Sequence, residues 1–136
     1  MGVQRYQDLI AWQMADSFKQ EVFRLVFESR GASSDLRYRG QLFAAAQSVG
    51  ANIAEGFLRN SPGDFRRFLS IGLGSLGEAE GRIRDGIQLA YFAPAACEPA
   101  FRFARRAAMA SVRLKESQLA FMKPPKNPRN LTNPRT

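Results

Sequence analysis

Four arginines, Arg102, Arg105, Arg106 and Arg113, crowd the last third of this 136-residue chain. Arg102, Arg106 and Arg113 recur at i, i+4 and i+11, which on a helix puts them on one face with Arg105 beside them. A guanidinium is planar and bonds two phosphate oxygens at once. Such a face suits the backbone of RNA or DNA, held without regard to sequence. Lys123, Lys126, Arg129 and Arg135 extend the positive charge to the end of the chain. The competing reading is a solvated helix face that pairs with Glu98 and Glu116. Phe101 and Phe103 stand among these arginines; core packing accounts for them better than base stacking.

Other chemistry is thinner. Asn52, Glu55 and Arg59 place polar groups at the end of a small, apolar segment, as a polar helix corner. Glu55 and Arg59 have i,i+4 spacing, so the structural reading is a surface pair and satisfied backbone groups. Glu78, Glu80 and Asp85 do not make a metal site, because on one helix positions 78 and 80 point about 200° apart. The chain has no His and one Cys, Cys97. That removes His-based triads, His-ligated metals and disulfides. The glycines around Gly72 lack the Lys-Ser/Thr and the preceding strand of a phosphate loop. No catalytic residue, metal or cofactor is expected, and the protein is read as a non-enzyme.

Four periodic segments have to carry these groups. The first runs from Asp8, read as its N-cap, to Arg30, with Gly31 as its stop and apolar positions Trp12, Ala15, Phe18, Val22, Leu25 and Val26. Ser33-Ser34-Asp35 supplies cap chemistry for a second, starting near Leu36, with a seam at Leu42, Ala46, Val49, Ile53 and Phe57. Ser61-Pro62-Gly63-Asp64 predicts the start of the third: Ser61 caps, Pro62 sits at the first helical position, and Asp64 closes a capping-box-like pair. Its seam is Phe65, Leu69, Gly72, Leu76, Ala79, Ile83, Gly86 and Ala90, close to a heptad repeat. Gly77 and Gly81 share a face where another backbone is expected to approach. The fourth runs from Glu98 to Met122, with a seam at Phe103, Ala107, Ala110, Leu114 and Phe121. No strand pattern appears. The expected fold is all-α, an antiparallel up-down-up-down four-helix bundle over residues 1–122.

Residues 123–136 hold four Pro, three Asn, four cations and no anion. They are read as a disordered basic tail. With 20 Lys+Arg against 12 Asp+Glu, the net charge is +8, and half of it lies in this tail. No stretch is long and apolar enough for a membrane span or a signal peptide, so the expected location is the cytoplasm. Phe23 and Phe27 beside the first seam, with Phe43, are apolar beyond what one seam needs. They are expected at a subunit interface.

Gln41 to Gly56, QLFAAAQSVGANIAEG, resembles the motif Q-x-R-R-A-x-x-S-I-x-x-N-I-A-E-G of the four-helix-bundle proteins encoded in bacterial 23S rRNA intervening sequences. Tyr6 to Gln13 is similar to that family's first helix, and Phe68 to Glu78 to its third. The resemblance spans about residues 6 to 120 and implies a bundle that assembles into a ring of five. A branch associated with diversity-generating retroelements implies a basic ring that binds nucleic acid and a reverse transcriptase. Where the family carries Arg-Arg, this chain has Phe43 and Ala44. Two functions are therefore weighed: a homo-oligomer that binds RNA or DNA backbone, and a scaffolding homo-oligomer whose partner is another protein.

Overall fold

The computed structural model describes residues 2–122; Met1 and residues 123–136 lie outside it, and with them the tail reading and Lys123, Lys126, Arg129 and Arg135. A 3-10 turn, Tyr6–Asp8, leads into α1 (Ile10–Phe27). Asp8 does not cap this helix. It lies inside the turn, and Leu9, which has no capping side chain, takes the N-cap position. Gly31 is not the stop either. The helix ends at Phe27, and the Ser29 hydroxyl accepts the Ala32 N–H at 3.0 Å to start a short helix, α2 (Arg30–Ser34).

Asp35 then caps α3 (Leu36–Leu58), its carboxylate accepting the Tyr38 N–H at 3.1 Å. Ser61 caps α4 (Pro62–Gln88) through the Asp64 N–H at 3.2 Å. The Asp64 carboxylate does not close the expected pair; it lies 3.9 Å from both Arg59 and Arg67. Ala90, expected in the α4 seam, lies outside the helix at φ 60°. The Tyr91 N–H reaches Gly86 O at 2.8 Å and the Ala90 N–H reaches Ile87 O at 3.0 Å. That is the Schellman closure, with alanine in the left-handed position glycine normally takes. A 3-10 turn at Pro94–Cys97 precedes α5 (Glu98–Gln118), and another at Leu119–Phe121 follows it.

Cross-helix contacts set the topology. Gln41 meets Arg82 and Ser48 meets Ser75, so α3 and α4 run antiparallel. Arg66 donates to Lys115 O and Arg84 lies over Phe101, so α4 and α5 do too. Arg24 donates to Ala96 O near one end of the α1/α5 pair, while Ile10 shares a groove with Arg113 near the other. Phe23 stacks on Phe43 between α1 and α3. Among the described residues the fold is all-α, with four long helices in an antiparallel bundle, α2 being a short addition the sequence pattern did not separate.

Phe18, Val22, Val26, Leu42, Val49, Ile53, Leu69, Leu76 and Ile83 fill the core, and small residues such as Ala15, Ala46, Ala79 and Ala104 let the backbones close in. Each large side chain contributes about 1.5–3 kcal/mol by leaving water. Cys97 is fully buried at the α4–α5 corner, and burial pushes its thiol pKa up. The α5 seam is rotated from the expected one. Ala100, Phe101, Ala104, Ala107 and Ser111 are buried, Phe103 and Leu114 are half-buried, and Phe121 is exposed.

The five glycines of α4 beyond its first turn split by face. At Gly86 an added methyl would strike the Tyr38 hydroxyl and the Phe92 ring, and at Gly72 it would press on Val49 O at 3.3 Å. At Gly74, Gly77 and Gly81 it would meet nothing within 4 Å. The close backbone expected at Gly77 and Gly81 is therefore absent within the described chain.

Candidate nucleic-acid interface

The α5 arginines stand where helical spacing puts them. Its buried positions all fall on one side, so Arg102, Arg105, Arg106 and Arg113 project away from the core, and all four are exposed. None forms an ion pair among the described residues, whereas Lys19, Arg24, Arg59, Arg67 and Arg82 each have a carboxylate within 4 Å. The expected alternative, pairing to Glu98 and Glu116, is not formed there.

The four do not make one uniform strip. Arg102 lies over Phe103, its guanidinium carbon 5.7 Å from the ring centroid. Arg84, on α4, lies 4.5 Å over the Phe101 ring. Arg84 and Arg105 both act on the half-buried Glu80, where burial raises the carboxyl pKa and the two cations pull it down. Arg84 and Arg105 therefore form a basic corner across α4 and α5, while Arg102 leans on Phe103 at the other side of α5. The stacked faces hold two of these guanidinium planes in place, a cation–π contribution of about 0.5–1 kcal/mol each at exposed sites. The sequence reading missed Arg84, because nothing in its spacing says which ring of another helix lies beneath it.

Arg106 and Arg113 have different surroundings. Met109 and Val112 lie exposed between and beside them. With Ile10, Met14 and Ala110, the two arginines line a groove of about 330 Å³ between α1 and α5. It continues into one of about 430 Å³ bordered by Val3, Leu9, Ile10, Leu114 and Ser117. The predicted basic face is thus a polar corner at one end and an apolar groove with two cationic edges at the other.

The other predicted groups are elsewhere. The Asn52 amide donates to Ser48 O at 2.8 Å and to the Ser48 hydroxyl at 2.9 Å, and that hydroxyl meets Ser75 on α4 at 2.9 Å. Glu55 and Arg59 form a half-exposed pair at 3.2 Å. Asn52 is thus a link between helices, apart from the Glu55–Arg59 pair. Among the described residues, no three His, Cys, Asp or Glu side chains come together as metal ligands. No described helix is long and apolar enough to cross a membrane.

Phe43, in the position of the family's first Arg, packs on Phe23 at 4.9 Å and on Phe27 at 5.6 Å between ring centroids. The surplus aromatics therefore largely cover one another between α1 and α3, and Phe27 alone of the three is exposed.

Among curated proteins, none matches this chain. The profile described as 23S rRNA-intervening sequence protein matches residues 7–108, which takes in all of α1 to α4 and the first half of α5. That span covers most of the chain and ends inside the helix that carries the exposed arginines, so the protein belongs to the 23S rRNA-intervening sequence protein family.

Proposed function

We propose that this is a non-enzymatic, homo-oligomeric bundle protein of the cytoplasm that binds the backbone of RNA or DNA, with Arg84, Arg102 and Arg105 as its principal contacts. The observation that carries this is the set of four α5 arginines, all exposed on the outward side of one helix and none in an ion pair among the described residues. Cations that meet no carboxylate remain available for phosphate. The basic residues of 123–136 add charge by sequence alone. A buried Cys97 and the lack of any His support the non-enzymatic reading.

The test is fluorescence anisotropy on a mixed-sequence duplex across a salt series. Binding should be sequence-tolerant, and log K should fall against log salt with a slope of about −0.9 per phosphate contacted. Arg102→Ala with Arg105→Ala should weaken binding and flatten the slope without changing helicity. Deleting residues 123–136, which removes four cations, should also weaken binding and flatten the slope. An intact protein that fails to bind at low salt rejects the reading. It would leave the scaffold that binds another protein, which the exposed Phe27 ring and the α1/α5 groove support.

A further inference from the structure

Two outward helix faces of this chain are complementary. On α5, Arg102, Arg106, Met109 and Arg113 recur at i, i+4, i+7 and i+11. On α4, Gly74, Glu78, Gly81 and Asp85 recur at the same spacing. Both sets point away from the core and all eight residues are exposed. The first is a ridge: Met109 stands out beside Val112 and Ile10 and above the α1/α5 groove, with Arg106 and Arg113 at its edges. The second is flat, since Gly74, Gly77 and Gly81 have open space where a side chain would be. Its charges are acidic. Asp85 has no ion pair among the described residues, and Glu78 reaches only Arg82, at 3.5 Å, while remaining more than half exposed.

The outer spacings match in length. Arg106 to Arg113 and Glu78 to Asp85 are each seven residues, or about 10.5 Å along a helix. Laid antiparallel, Arg106 meets Asp85, Arg113 meets Glu78, and Met109 falls opposite position 82, next to the open space at Gly81. Each exposed glycine in a helix interior costs about 1 kcal/mol relative to alanine, and within the subunit nothing uses the space.

We propose that the α1/α5 face of one copy docks on the α4 face of a second copy, head to tail, through Arg106–Asp85, Arg113–Glu78 and Met109 next to Gly81. The proposal rests on the homo-oligomeric part of the reading above and assigns its faces. Such a contact is heterologous, so it propagates from copy to copy. Charge excludes the other occupants within this protein. Residues 123–136 carry four cations and no acid, so they are repelled by Arg106 and Arg113. The same face on a second copy would set arginine against arginine. The docking leaves Arg84, Arg102 and Arg105 outside the paired register, free for phosphate.

Light scattering coupled to gel filtration of the full chain, at micromolar concentration, tests it. Wild type should run at several times 15.2 kDa. Arg106→Glu with Arg113→Glu, and separately Glu78→Arg with Asp85→Arg, should each bring the mass down toward one subunit. Combining all four substitutions should restore it. Gly81→Leu, with room for its side chain in the isolated subunit, should also lower the mass while circular dichroism stays unchanged. An assembled wild type whose mass survives the charge swaps or Gly81→Leu overturns this docking but leaves the oligomeric reading intact. Failure of the four-fold variant to reassemble also overturns the docking. So does loss of assembly on deleting residues 123–136, which would give the groove to the tail. A monomeric wild type overturns both.

Discussion

The two sides of α4 carry the same residue type to opposite ends. Toward α3 and the α4–α5 corner, Gly72 and Gly86 are closed in by Val49 O, the Tyr38 hydroxyl and Phe92. Ser75 on α4 meets Ser48 there, and Ser48 in turn holds Asn52. On the outer side, Gly74, Gly77 and Gly81 touch nothing in the subunit. The inner glycines are explained by their own chain; the outer ones are a helix-propensity cost with no return inside it. A glycine's meaning is thus set by what stands opposite it.

The sharpest way to break this contrast is Gly86→Ala. Its methyl would collide with Tyr38 and Phe92, and overpacking of this kind costs about 1–3 kcal/mol. Urea unfolding should show the midpoint falling; an unchanged midpoint would mean the inner side is looser than the contacts imply. Ser48→Ala should come next. It removes the hydroxyl that joins Asn52 to Ser75, a loss of about 1 kcal/mol by the same measurement. Gly74→Ala should have the opposite sign and stabilise the isolated subunit by about 0.5–1 kcal/mol, since the added methyl meets no atom and the helix gains propensity. A loss there would place a neighbour on that face.

The smallest expected effect is in acid, at the tyrosine-lined end of α4. The Tyr91 hydroxyl and the Tyr38 N–H both donate to Asp35, and hold its carboxyl pKa below the ordinary 3.8. A depressed carboxylate stabilises the fold above its unfolded-state pKa, and that contribution is lost as pH falls through the folded value. The melting temperature should therefore drop on acidification past about pH 3.8. Asp35→Asn should flatten that part of the profile.

What the sequence revealed follows the range of the interactions. The start of α4 was legible because Ser61 and Pro62 act within one turn, and Asp35 was legible as part of a capping run for the same reason. The seams of α3 and α4 were legible from period alone, up to the last position. At Ala90 the period continues while the backbone has already turned left-handed, a choice made by the Tyr91 and Phe92 packing that follows it. The α5 seam was misplaced because Phe101 and Phe103, two residues apart, lie on different sides of one helix; only the position of α4, with Arg84 over Phe101, decides which is buried. Asp8 and Gly31 are good cap types whose neighbours built a 3-10 turn and a short helix instead. For the arginines, spacing gave the outward face correctly. It did not show that Met109 and Val112 divide the face, or that Arg84 joins it from another helix.

The burial of Cys97 gives the fold a built-in clock. The chain holds one thiol, enclosed in the turn between α4 and α5 and shifted away from the reactive thiolate. A disulfide reagent can modify it only when that corner opens, so the labelling rate counts openings. If those openings are local, the rate ignores denaturant. If they require the whole bundle, it climbs with denaturant as steeply as global unfolding does. One sulfur atom, with no engineering of the chain, therefore separates fraying of a corner from melting of the molecule.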